Sequence, residues 1–135
     1  MKYKFVDKIT SDVMFEAYGK DLGELLVNAA EALSSVICQI DKIEPKRKIA
    51  VTVKGKDEKD LLFNWLEEII AAVDVNEMFF SKFVIKSLKK NELVAELSGE
   101  DITPEKGGTV VKSVTYYKFK LEKKDGYTAT VSVDI

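Results

Sequence analysis

The chain has 135 residues, 46% hydrophobic and 33% charged, with a formal net charge of −2, the profile of one globular domain; the charge argues against strong direct binding of nucleic acid. It has no apolar run near the roughly 20 residues of a membrane span, and MKYKFVDK lacks the apolar core of a signal peptide, so the expectation is a cytoplasmic protein. Histidine is absent and Cys38 is the single cysteine, which excludes Ser-His-Asp and Cys-His catalysis and nitrogen- or thiolate-ligated metal sites, and leaves oxygen chemistry with hard cations.

Tyr3, Phe5 and their neighbours predict a short strand leading to a turn before Asp12. The rest of the chain is organised around the stretch from Ser11 to Leu33. Asp12 to Tyr18 mixes polar and apolar strand formers, as a half-buried strand requires. Gly19 supplies a turn, and Asp21 stands three residues before Glu24 as an acidic capping box. Leu22, Leu25, Leu26, Ala29, Ala30 and Leu33 then form the apolar stripe of a helix running to about Ile40. Cys38, near its end, reads as a small buried hydrophobe.

Asp41 to Lys48, with Pro45 and four basic residues, is expected to be a solvated loop. Ile49, Val51 and Val53 alternate with Ala50, Thr52 and Lys54 in a strand ended by Gly55. Asp57 or Asp60 caps a second helix, whose stripe is Leu61, Leu62, Trp65, Leu66, Ile69, Ile70 and Val73. Glu67 and Glu68 are placed on its water side, and Trp65 reads as a packing anchor.

Beyond Met78 the pattern turns to strands. Met78 to Leu88 pairs with Leu93 to Leu97 across Lys90-Asn91-Glu92. Gly99 to Gly108, with three glycines and three acids, reads as a mobile surface loop. Thr109 to Lys123 and Tyr127 to Ile135 form a hairpin around Asp125-Gly126. Tyr127, Ala129, Val131, Val133 and Ile135 face one way; Thr128, Thr130, Ser132 and Asp134 face the other. No internal repeat is evident. Two helices among antiparallel strands predict an α+β single domain, a largely antiparallel or mixed sheet with both helices on one face.

Three features carry possible chemistry. Asp12 begins one strand and Asp134 ends another. If the strands are neighbours the carboxylates converge, and a cation between them relieves their repulsion, with the C-terminal carboxylate or the Ile135 carbonyl as a further oxygen; otherwise they are two unrelated surface acids, the reading that spacing alone favours. Lys112 interrupts an apolar row of Val110, Val114 and Tyr116, either as a snorkelling edge residue or as a counter-charge. Lys118, Lys120, Lys123 and Lys124 with Tyr116, Tyr117 and Tyr127 suggest an RNA-binding strand face, against the commoner alternative of a solvated strand.

The order of ITSDVMFEAYGKDLGELLVNAAEAL, DLLFNWLEEII, FFSKF, VVKSVTYYKFKL and terminal VSVDI resembles the archease family. That resemblance implies a small α+β protein that acts as a cofactor of the RNA-splicing ligase in tRNA splicing, assisting guanylylation and turnover. It also implies that Asp12 and Asp134 hold a divalent metal, with Ile135 beside them, and that Lys112 serves ligase activation. The metal is calcium first, with magnesium or manganese as the alternatives. The family's histidines are replaced here by Ile9 and Tyr117. The resemblance further raises a chaperone-like role towards a tRNA methyltransferase, or a divergent family member with another partner. A self-sufficient metal-dependent hydrolase ranks last, since such enzymes gather more carboxylates and a general base.

Overall fold

Both helices begin where carboxylates take up the free amides of the first turn. In the computed structural model, which describes residues 1–6 and 12–135, α1 spans Leu22–Ile37 and α2 spans Glu58–Asn76. Asp21 accepts from the Glu24 amide at 2.8 Å, and Glu24 accepts in return from the Lys20 amide at 2.9 Å. In α2, Asp57 accepts from the Asp60 amide and Asp60 from the Lys56 amide, both at 2.8 Å. These are reciprocal capping boxes with an acid at each end.

The two starts share more than caps. Gly19 and Gly55 each lie where a Cβ would fall 2.3 and 2.4 Å from the amide nitrogens of Leu25 and Leu61, so only glycine permits the helix to approach so closely. Asn28 donates to the Tyr18 carbonyl at 2.7 Å and Asn64 to the Lys54 carbonyl at 2.9 Å. The pattern Gly-Lys-Asp-x-x-acid-Leu-Leu-x-Asn therefore occurs twice, offset by 36 residues (55 − 19 = 36), with the same hydrogen bonds. The expectation of no internal repeat is corrected: one strand–turn–helix unit is used twice, and its matching capping and close approach explain why these positions coincide.

Seven strands among the described residues form two antiparallel sheets where one was expected. The first contains β1 (Tyr3–Phe5), β2 (Asp12–Gly19), β6 (Ser113–Lys123) and β7 (Tyr127–Asp134), in the order β1-β2-β7-β6. The second contains β3 (Arg47–Lys54), β4 (Met78–Lys89) and β5 (Glu92–Asp101), in the order β3-β5-β4. Each helix touches both sheets: α1 packs on β2 and β4, and α2 on β3 and β6. The α+β class holds, with the strands divided between two sheets that the helices both contact. The turn expected before Asp12, and Ile9, Thr10 and Ser11 of the compared motif, lie outside the described residues.

The predicted stripes face the core. Leu25, Leu26, Ala29, Ala30, Leu33 and all seven apolar residues of the second stripe are buried. Trp65 is an anchor, its indole N–H donating to the Leu26 carbonyl at 2.9 Å and so joining the helices. Cys38 is buried, and burial pushes its thiol pKa up. The β4–β5 turn places both Lys90 and Asn91 at positive φ (50° and 61°), as a two-residue hairpin of that hand requires. Asp125 and Gly126 do the same between β6 and β7 (52° and 106°).

Part of the expected mobile loop is strand. β5 continues through Gly99 and Glu100 to Asp101. A Cβ on Gly99 would collide with the Phe79 carbonyl, so this glycine serves close strand packing. Glu100 is buried and accepts from the Glu44 amide at 2.6 Å and from the Lys106 ammonium at 3.0 Å. That amide, then Lys106, holds its carboxyl below the usual glutamate value.

Candidate metal centre

The register of the first sheet decides what its polar face can hold. β2 and β6 both pair antiparallel with β7, which puts Asp12, Asp134 and Ser113 in one cross-strand row. Met14, Ser132 and Thr115 form the next row, and Glu16, Thr130 and Lys120 a third. Directly opposed residues have Cβ atoms about 4.5–5.5 Å apart on one face, so the two aspartates leave the sheet on the same side. The adjacency of their strands, conditional in the sequence, is given by the register.

The acids on this face differ in their neutralisation. Glu16 accepts from the Tyr18 hydroxyl at 2.8 Å and meets Lys4 at 3.7 Å, and Glu122 meets Lys120 at 3.5 Å. Asp12 and Asp134 have no ion pair among the described residues. Like charges directly opposite each other across a ladder are unfavourable, and a cation removes the conflict. No group of three or more His, Cys, Asp or Glu side chains suited to a metal occurs among the described residues. Further ligands would therefore be oxygens of other kinds, and the Ile135 carbonyl is next along the chain.

Two hydroxyls that sequence reasoning passed over lie one row in. Ser132 is 0% exposed, and the hydroxyl oxygens of Ser132 and Thr115 are buried without a hydrogen-bond partner among the described residues. Buried hydroxyls are ordinarily satisfied, so oxygens that have no partner among the described residues, one row from two carboxylates, have the donor chemistry that a hard cation and its water take. Ser132 shares the polar alternation of Asp134, and that was the available signal. The donors present suit calcium, magnesium or manganese.

Lys112 lies beside this row but not as expected. Its N–H donates to the Asp134 carbonyl at 2.8 Å, while its side chain is exposed and has no ion pair among the described residues. The apolar row of Val110, Val114 and Tyr116 is corrected, because β6 starts only at Ser113. Before it, the Gly108 and Thr109 amides bond to Ile37 and Val36 at the end of α1 (2.9 and 2.8 Å), which leaves Val110 79% exposed. Glu67 is a second correction. Its carboxylate accepts from the Val114 amide at 2.6 Å instead of facing water, and so closes the free edge of β6 beside Ser113.

The lysine- and tyrosine-rich strand is not one face. Tyr127 is buried, with its hydroxyl 3.0 Å from Glu58. Tyr116, Tyr117, Lys118 and Phe119 fall where the β6–β7 register shifts between Thr115 and Lys120. Tyr116 and Tyr117 are 73% and 50% exposed there, and the ring of Tyr116 lies on Phe63 of α2.

Residues 3–135 match the model of the Archease protein family (MTH1598/TM1083). The chain is 38% identical over 138 residues to the archease of Sulfurisphaera tokodaii, covering 99% of each protein. It is 36% identical to that of Methanopyrus kandleri, covering 93% of this chain and 94% of the relative. A solution structure of a Methanobacterium thermoautotrophicum protein superposes with a TM-score of 0.78 at 31% identity, covering 98% of both chains. A crystal structure of an archease, described as a possible chaperone, from Thermotoga maritima superposes with a TM-score of 0.67 over 96% of this chain and 95% of that one; at 21% identity it shows the fold alone.

Proposed function

The chain belongs to the archease family, and from that premise we propose that it is a cytoplasmic accessory protein, not an enzyme, that activates an RNA-splicing ligase with the help of a divalent cation. The observation that supports this reading is the Asp12–Asp134 pair, opposed in register and without an ion pair among the described residues, with Lys112 bonded through its amide to Asp134. The two carboxylates and the Ile135 carbonyl would hold the cation, which supplies positive charge for oxygens of a phosphate or carboxylate. Lys112 projects an exposed ammonium from a backbone anchored beside the acids, suited to a phosphate or an acidic group of the partner. Val114, held by Glu67, keeps the start of β6 in register so that Ser113 and Lys112 stay next to Asp134.

A second reading, a chaperone-like partner of a tRNA methyltransferase, draws on a half-open apolar groove of about 210 Å³ lined by Ile70, Val73, Phe79, Ile102 and Val110. Exposed apolar surface of this kind suits a protein partner.

Multiple-turnover RNA ligation with the ligase limiting tests the first reading. The protein should raise turnover, and Lys112→Ala should remove the effect while leaving the melting temperature nearly unchanged. Absence of stimulation by the wild-type chain, or full stimulation by the folded variant, would count against it.

A further inference from the structure

We propose that the bulge on β6 carries a stacking site for one base of single-stranded RNA, separate from the carboxylate pair. Between the paired residues Thr115/Ser132 and Lys120/Thr130, four residues of β6 face a single residue of β7, Val131. The surplus chain is accommodated with Lys118 at a φ of 53°, a left-handed conformation unfavourable to a residue with a side chain. Strained, bulged strand of this sort re-aims side chains, and here it turns two tyrosines outward.

Tyr116 is stacked on one face. Its ring is parallel to Phe63, with centroids 4.2 Å apart and 2° between the planes. Buried Phe119 meets Phe63 edge-on at 5.3 Å and Tyr116 at 6.4 Å. One face of Tyr116 is thus fixed against α2, while the side chain remains 73% exposed. A flat, open aromatic face backed by packed rings is what a nucleobase stacks on, whatever its sequence.

The surrounding charge selects the partner. Beside the rings is a cavity of about 230 Å³, walled by Lys56 and Lys59 as well as Phe63, Tyr116 and Phe119. This is below the roughly 300–1,000 Å³ of a small-molecule pocket, so it admits one ring system and leaves the rest of a ligand outside. The carboxylates there, Asp57 and Asp60, already accept from backbone amides. Lys59 lies 5.9 Å from the Phe119 ring and Lys118 5.4 Å from the Tyr117 ring. Lys56, Lys59 and Lys118 have no ion pair among the described residues, whereas neighbouring Lys120 does. Unpaired ammonium groups around an open ring complement a phosphodiester whose base is stacked. The net charge of −2 limits this to local, modest binding, and stacking on a ring does not read base identity.

The test uses the full chain and short labelled oligouridylate and oligoadenylate, followed by fluorescence anisotropy at about 50 mM salt without any ligase. Both RNAs should bind saturably and weaken with salt. Tyr116→Leu, which keeps bulk over Phe63 but has no π face, should bind about tenfold more weakly, and Tyr116→Phe should bind like the wild type. Lys59→Gln should reduce the log–log salt slope by about 0.7. No saturable binding, or wild-type binding by Tyr116→Leu, overturns the proposal. So does a Tyr116→Leu protein that loses ligase stimulation while neither form binds RNA, which would make the patch a protein contact. Since RNA binding is read without ligase, it can fail while ligase activation stands, and the reverse.

Discussion

Replacing Glu67 tests how the fold holds the candidate centre in place. Its carboxylate receives the Val114 N–H at 2.6 Å, and Val114 is buried, so the orphaned amide would have little access to water. A hydrogen bond to a charged group contributes about 1.5–3 kcal/mol, and a buried unsatisfied amide costs about 1–3 kcal/mol. These are two views of one interaction and do not add. Alanine is the better helix former, but only by a few tenths of a kcal/mol, too little to offset the loss. Glu67→Ala should therefore destabilise by about 1.5–3 kcal/mol, and Glu67→Gln, which keeps an acceptor, by about half of that. At roughly 4 °C per kcal/mol for a domain of this size, the alanine variant should melt about 6–12 °C lower. Hydrogen exchange gives an independent readout: the Val114 amide should lose protection in Glu67→Ala and retain part of it in Glu67→Gln. An alanine variant melting within about 1 °C of wild type, with Val114 still protected, would refute the assigned contact.

Calcium, magnesium or manganese at about 100 times its dissociation constant should stabilise the protein by about 2.7 kcal/mol, and Asp12→Asn or Asp134→Asn should abolish the shift; an intact shift in either variant excludes the shared site. Leu26→Ala should cost about 2–5 kcal/mol, since this side chain is fully buried in α1; a loss under about 0.5 kcal/mol would mean that the stripe does not face the core. Glu100 has a folded pKa below its unfolded value of about 4.3, chiefly because of the Glu44 amide and then Lys106. Its contribution is thus present above pH ~4.3 and is lost as pH falls through the lower folded value. Glu100→Gln should flatten the fall of stability across that acidic window, and an unchanged acid limb in urea titrations would show that the carboxylate is not linked to folding.

The helices were legible because their signals are local. Asp21, Glu24 and Asp57 act within one turn, and the stripes from Leu25 and Leu61 repeat at the helical period over several turns. The turn at Asp125-Gly126 was legible for the same reason. The site was only half legible. Spacing identified Asp134 as polar-facing, but its place opposite Asp12 depends on pairing between the two ends of the chain, which no local pattern encodes. Tyr116 to Phe119 read as uninterrupted strand, since aromatic residues favour strands whether or not the ladder bulges. Gly99 read as loop because glycine marks both turns and close packing. Glu67 stands at the border of the helix's apolar stripe, where a rotation of a few tens of degrees separates water from the edge of β6.

The repeated strand–turn–helix unit gives the centre an internal counterpart. Moving 36 residues from Asp12 reaches Lys48 (12 + 36 = 48), at the start of β3. Lys48 stands opposite Ser98, and its ammonium lies 3.9 Å from Glu96, which Lys86 approaches to 3.6 Å from the other side. The strand of the second copy thus settles its charges within its own sheet, whereas among the described residues that of the first faces an acid without an ion pair. With the folding instructions written in both copies, in the glycine, the caps and the asparagine, the face of each strand is free to diverge. One strand faces its charges with partners on the neighbouring strands, and among the described residues the other sets two acids opposite each other with no cation between them.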